Sequence, residues 1–256
     1  GGISTSLTRE DLARFAAEQR MRFRAQPAGV VKGPLTEGTL NLPREWQRFK
    51  SLSSVDTMFT FTSPYMLART LVDRHHGDIR ELTMALAEVL RKQVESIDAP
   101  VIQMDEAHLT GHPEDADWAH EPLNQALSGI QGEKALHLCF GNYGGQSIQK
   151  GYWQDLMPFL NRLDVDQLVL EFARRGYDEL ETFKDLKPDI KLGIGVLDIK
   201  DNEIESTDRI ASRIEHAVAS LGIERIQWVH PDCGFWMMHR SVADRKMEAL
   251  VWQRVI

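Results

Sequence analysis

Six short apolar runs recur along this chain, each separated from the next by a longer stretch with helical periodicity. The runs cover residues 55–61, 101–104, 135–139, 167–170, 190–197 and 226–229. They are continuous or β-branched rather than alternating, the pattern of strands covered on both faces. Between them, apolar residues fall three and four apart: Leu82, Leu86, Val89, Leu90 and Ile97 in one segment, Ile210, Ile214, Val218 and Leu221 in another. The second is preceded by the capping stretch Ser206-Thr207-Asp208 and followed by Gly222, a stop signal. Strand–helix alternation at this spacing predicts βαβ units in a parallel sheet.

Within the α/β class, a (β/α)8 TIM-type barrel is the architecture expected. No Gly-x-Gly-x-x-Gly follows a strand, so a dinucleotide fold has little support. A barrel of this type needs eight strands, and six are convincing here. The chain opens at Gly1-Gly2 rather than Met, then runs into a predicted helix over 8–23 and an extended stretch over 29–34. The expectation is one barrel domain over residues 1–256 that is N-terminally incomplete, with its first strand or two missing.

A chain of 256 residues can bury one large core. Its net charge of −8 argues against a nucleic-acid or anionic-membrane partner, since both demand clustered Lys and Arg. No apolar run approaches the length needed to span a bilayer. No signal peptide is visible, and two cysteines cannot make a disulfide framework. A reducing cytoplasm is the expected setting, and it suits a thiolate metal site.

In barrels of this kind chemistry sits at the carboxyl ends of the strands. The residues there are Thr62-Ser63-Pro64, Asp105-Glu106, His137 and Cys139, Glu171, Asp198 and Lys200, and His230, Asp232 and Cys233. Six successive strands thus end in reactive side chains. His137 and Cys139 stand two apart, so on a strand they share a face. Thiolate with imidazole is a ligand set that zinc prefers. Composition alone favours two ordinary core thiols instead. The position of both cysteines at strand ends, beside other ligand types, is what favours the metal.

Several motifs at these ends resemble the C-terminal catalytic barrel of the cobalamin-independent methionine synthase family, with the chain reading as a short single-barrel relative. The resemblance runs from about Gly29 to the end. It is carried by Ile102-Gln-Met-Asp-Glu106, His137-Leu-Cys139, Leu170-Glu171 with Arg174, Gly195-Val-Leu-Asp-Ile-Lys200, and Pro231-Asp-Cys-Gly234. It implies zinc held by His137, Cys139, Glu171 and Cys233, with Glu171 yielding its place when the thiol arrives. It also implies a methyltransferase that activates homocysteine as a thiolate and methylates it to methionine. Asp105 matches the carboxylate that holds the homocysteine amino group, with Glu106 and Ser63 as further substrate-binding candidates. Lys200 stands where the family carries a histidine proton donor, and is either a catalytic group or an anion anchor.

Thr70 replaces the tryptophan that stacks on the folate donor, and 22–26 does not reproduce the folate-contacting stretch. The methyl donor is therefore expected to be a folate, a methylated corrinoid protein or a small methyl compound. Two rival readings remain at this point. One is alkylation of another thiol, of the epoxide and coenzyme M type, with Lys200 on the sulfonate. The other is a metal-free, non-catalytic or decarboxylase-like barrel. Among the remaining residues, His108 and His112 are expected to be solvated loop histidines, and 203–205 a solvated acidic stretch. Arg174 is expected to pair with Asp198, His230 to support a ligand or close the core edge, residues 141–145 to form a flexible rim, and 236–239 to line the cleft or pack.

Overall fold

The structure, a computed structural model, describes residues 1–18, 24–142, 147, 149–236 and 238–251. Its regular elements begin with β1 (Ile3–Ser4), α1 (Arg9–Glu18), β2 (Gly29–Val31), α2 (Leu42–Lys50), β3 (Phe59–Thr62), α3 (Pro64–Ala68) and β4 (Leu71–Asp73). They continue with α4 (Ile79–Val94), β5 (Val101–Glu106), α5 (Ala116–Leu127), β6 (Glu133–Leu138), α6 (Trp153–Leu160) and β7 (Gln167–Leu170). The last are β8 (Lys191–Leu197), α7 (Thr207–Leu221), β9 (Ile226–Pro231) and α8 (Arg240–Val251).

All six predicted strands form, and they make one parallel sheet in the order β3-β5-β6-β7-β8-β9. The first of them begins at Phe59, later than the apolar run suggested. Val55 sits in a polar Ser-Ser-Val-Asp-Thr stretch, is 73% exposed, and its carbonyl accepts from Ser53 Oγ in a local turn. A second, three-stranded sheet joins β1, β2 and β4. The extended stretch expected near residue 29 is its central strand, parallel to β4 and antiparallel to β1. Helix α1 occupies the predicted N-terminal position as far as Glu18; residues 19–23 lie outside the described residues.

Closure into an eight-stranded barrel is not seen among the described residues, where β3 and β9 are the edges of the larger sheet. The sheet nevertheless curls. Strands lie about 4.8 Å apart, so three strand steps put β6 and β9 roughly 14 Å apart on a flat surface. Side chains that end these two strands approach far more closely, as described below.

The helices lie against the sheet because their apolar stripes have nowhere else to go. Helix α4 buries Leu82, Leu86, Ala87, Leu90 and Val94, and its first turn is capped by Asp78, which accepts from Glu81 N. Helix α7 is capped by Ser206 and stops at Gly222, whose φ of 86° lies in the left-handed region that favours glycine. Beneath the sheet's carboxyl end, Trp153 gathers Phe140, Phe172 and Phe183, with its ring centroid 4.8 Å from Phe140. No helix among the described residues is long and apolar enough to cross a membrane.

Candidate metal centre

Parallel register sets the chemistry side by side. Thr62 pairs with Asp105, and Asp105 with His137, so the carboxyl ends of β3, β5 and β6 are level. The ends of β8 and β9 come into line through two register irregularities, with Gly195 beside His230.

His137 Nδ1 lies 3.0 Å from the Val169 carbonyl, which fixes the ring and leaves Nε2 as the atom to offer a metal. Cys139 follows two residues later, its neighbour Phe140 locked against Trp153. Cys233 arrives from the loop after β9. Ligand atoms of His137, Cys139 and Cys233 all lie within 4.8 Å of one another. The fit to a soft or borderline metal is good: two thiols and one imidazole, oriented by a carbonyl partner, share one mostly buried point.

The electrostatics describe the same cluster. A hydrogen bond from Cys233 brings the Cys139 thiol well below its ordinary value, against burial and with help from His137. The same bond and burial push Cys233 well above. Burial opposes the His137 imidazolium, but the Cys139 thiolate beside it wins and raises the ring to about 9. The shifts favour the thiolate at Cys139 and the imidazolium at His137, and a metal bound here would displace the protons of His137 and Cys233.

Glu171, expected as a fourth ligand, stands next to this trio rather than within it. Its Oε2 accepts from Phe140 N at 3.1 Å and lies 4.0 Å from Cys233 Sγ. Its Oε1 is 2.7 Å from Lys200 Nζ, and both side chains have 0% exposure. Lys200 also donates to Ser147 Oγ at 3.1 Å. Its ammonium is therefore turned into the protein and engaged, not presented to the cavity as a free anion anchor.

Asp105 lines the cavity with His137, Cys139 and Cys233. Its Oδ1 accepts from Gln103 Nε2 at 2.8 Å, and burial raises its pKa, opposed by His137. Glu106 and Ser63 have a different occupation. Glu106 is fully buried, accepts from His108 N and Leu109 N at 2.5 and 2.9 Å, and accepts a hydrogen bond from the Ser63 hydroxyl on its other oxygen. Ser63 in turn caps α3 by accepting from Met66 N. These hydrogen bonds buttress the loop after β5, and Glu106 also lines the cavity.

His108 and His112 are buried, at 5% and 8% exposure, contrary to the reading of them as solvated. Burial lowers the His108 pKa to about 4, so the ring is neutral at pH 7. In the acidic stretch 203–205, Glu203 is exposed as expected, but Glu205 is buried, pairs with Lys246 at 2.6 Å and accepts from Asp198 N at 2.7 Å. Arg174 pairs with Asp198 at 3.1 Å as expected. His230 lines the cavity, its Nδ1 2.7 Å from the Pro231 carbonyl and its buried Nε2 without a hydrogen-bond partner among the described residues. In the loop after β6, Asn142 donates to the Gly234 carbonyl at 3.2 Å, and exposed Trp236 donates back to Asn142 O at 3.3 Å. Residues 143–145 and Met237 lie outside the described residues.

One residue carries more than its strand-end position suggested. Asp232 is fully buried and accepts from the backbone N–H groups of Phe172, Ala173 and Arg174 at 2.9, 2.8 and 2.7 Å. It ties the Cys233 loop to the Glu171 loop. Burial, with Glu171 nearby, raises its pKa to about 7 against these three donors. Gly195 makes the approach possible, since a Cβ there would lie 2.0 Å from Asp232 Oδ1. Gly195 opposite an Asp-Cys pair was the available signal.

The trio and Asp105 open into one cavity of about 1040 Å³, whose lining also includes Met58, Thr60, Met66 and Thr70. Fold and site together define a parallel α/β domain with a buried thiol and imidazole centre at its carboxyl edge. Residues 50–252 match the family described as cobalamin-independent synthase, catalytic domain, and the chain belongs to that family. It is 30% identical over 206 residues to the methionine synthase of Saccharolobus islandicus strain L.S.2.15, covering 79% of this chain and 59% of that protein. To the methionine synthase of Sulfurisphaera tokodaii it is 29% identical, covering 79% and 57%. The chain thus spans less than two thirds of the length of these curated relatives. The solved structure of a B12-independent methionine synthase from Shewanella sp. W3-18-1, in complex with selenomethionine, shares the fold with a TM-score of 0.77 at 19% identity, over 88% of this chain and 69% of that one.

Proposed function

We propose that this chain is a zinc-dependent methyltransferase that methylates the sulfur of homocysteine to give methionine, on a single domain. The carrying observation is that His137, Cys139 and Cys233 converge on one point in the cavity that Asp105 also lines. Membership of the synthase family and the named methionine synthases support the same reading.

His137, Cys139 and Cys233 would hold the ion, with Glu171 beside them. When bound, zinc would supply the Lewis acidity that keeps a substrate thiol, ordinarily near pKa 8.5, deprotonated at neutral pH. The chain's own residues do the rest. Asp105 offers a half-buried carboxylate to the substrate's ammonium group, an interaction strengthened by the reduced local dielectric. Phe140, packed on Trp153, keeps water from the inner side of Cys139. The substrate sulfur forms a bond to the donor methyl carbon, the bond from that methyl to its carrier breaks, and the electron pair leaves with the carrier. The thiol proton goes to solvent or to the carrier. On the β3 side the cavity presents Met58, Thr60, Met66 and Thr70, which favours a methylated corrinoid protein or a small methyl compound over a stacked folate. A reducing compartment suits the two free thiols.

Metal analysis and a thiol titration test this together. The purified chain is expected to hold about one zinc, and the cobalt-substituted protein to change its visible spectrum when homocysteine binds at the open position. Protein that takes up no zinc under reducing conditions would remove the proposal.

A further inference from the structure

Gln149, in the loop after β6, is 8% exposed and lines the cavity, yet its carboxamide has no hydrogen-bond partner among the described residues. We propose that Gln149 is a specificity-determining residue for the methyl donor, its carboxamide pairing with an amide edge, a C=O beside an N–H, on the carrier of the methyl group. This rests on the methyltransferase reading above and narrows the chemical class of the second substrate.

A buried amide that finds no partner costs about 1–3 kcal/mol, so a residue that merely filled this space would do better as an apolar one. The space itself is kept for the carboxamide. A Cβ at Gly111 would overlap Gln149 Oε1 and Cδ, so only glycine leaves the notch open. The main chain on either side is tied down next to the metal centre. Gln149 N donates to the Phe140 carbonyl at 2.9 Å, and Thr110 Oγ1, from the loop that carries Gly111, donates to the Cys139 carbonyl at 2.9 Å. The carboxamide is thus preorganised on the loops that flank Cys139, and a group that it grips shares the cavity with the trio.

Room and polarity agree with this. At about 1040 Å³ the cavity is larger than a single amino acid fills, and pockets of this size hold drug-sized molecules. The loops after β5 and β6 also present Ala107, His108, Gly141 and Asn142, uncharged at pH 7 because burial holds His108 near 4. An uncharged wall that offers an amide donor and acceptor side by side suits a neutral polar edge better than a phosphate, a sulfonate or a cation. The lactam of a folate's pterin ring has that edge, and so do the primary amides around a corrinoid. A sulfonium or quaternary ammonium compound does not.

Calorimetry on the reduced chain, with zinc supplied, tests this with two probes, methyltetrahydrofolate and free methylcobalamin, and the one that binds names the source of the amide. Gln149→Ala is expected to weaken that probe about tenfold, the scale of a hydrogen-bonded pair lost from a buried site. Gly111→Ala, which pushes the carboxamide out of its notch, is expected to do the same, and Gly111→Ala/Gln149→Ala to bind no more weakly than Gln149→Ala alone. Homocysteine binding, read from the visible spectrum of the cobalt-loaded protein, is expected to stay within about twofold in all three variants. Unchanged donor binding in Gln149→Ala, homocysteine weakened as much as the donor, or a native chain that binds neither probe overturns the proposal. If Gln149→Ala does not fold, Gly111→Ala decides by the same criteria. A chain that binds a probe through Gln149 but takes up no zinc would strike the proposed function and not this assignment, so the two failures are distinct.

Discussion

Cys139 and Cys233 reach the same point by opposite means. Cys139 directly follows β6, whose last four residues are buried, and the next residue, Phe140, is pinned between Trp153 and the Arg175 guanidinium 3.5 Å above its ring. Cys233 follows β9, where Gln227 and Trp228 are exposed and no residue is fully buried. The helix after it, α8, buries only Lys246, and α7 buries only Ile210 and Ala217. Packing holds the first thiol, whereas the second depends on Asp232, three backbone donors and the Glu205–Lys246 pair. The lesson is that one centre joins a rigid apolar half to a polar half, and each half is vulnerable to a different substitution.

Replacing either thiol should erase the contrast altogether. Cys139→Ser and Cys233→Ser are each expected to lose zinc and activity while the chain keeps its fold, as measured by metal analysis beside circular dichroism; full metal occupancy in either variant would refute the ligand assignment. Phe140→Ala attacks the apolar half. It is expected to cost about 3–5 kcal/mol in denaturant unfolding, as for other buried aromatic truncations. Asp232→Asn attacks the polar half. Weakening charged hydrogen bonds predicts about 1.5–3 kcal/mol, and zinc affinity is expected to fall about 10–100-fold. Equal losses of zinc affinity per unit of stability in these two variants would mean that the halves do not differ.

Much of this was legible beforehand, and the reasons differ by element. The strands were readable because burial on both faces leaves continuous apolar runs, and His137 with Cys139 because a period of two puts them on one face. Strand β4 was missed, since Leu71-Val72-Asp73 is too short to stand out. Polar residues that bury themselves through distant partners gave no sign of those partners. Glu205 finds Lys246 and Glu171 finds Lys200 across 41 and 29 residues, and local composition carries no trace of either pairing. Glu106 and Ser63 pointed the right way along the chain, but their hydrogen bonds close on each other and the following loop. A (β/α)8-type barrel lacking its first strand or two was expected, and the described residues give the six expected parallel strands in one sheet with a separate three-stranded one.

A smaller effect follows from the titrating groups. At pH 7 His137, raised to about 9, and Cys233, raised above the ordinary thiol range, both carry protons, while the Cys139 thiol is shifted toward its thiolate. Zinc needs the neutral ring and both thiolates, so binding at pH 7 is expected to release about two protons, and affinity should climb with pH through the titration of His137 and beyond it, because Cys233 gives up its proton at higher pH still. Calorimetry in buffers of different ionisation enthalpy reads the number directly, and no net release would contradict the assignment.

The shortest route to the central claim is X-ray absorption at the zinc edge of the loaded protein. Two sulfur neighbours near 2.3 Å with the remaining shell of nitrogen or oxygen is the result predicted for Cys139, Cys233 and His137 on one ion. A shell with one sulfur or none would contradict it.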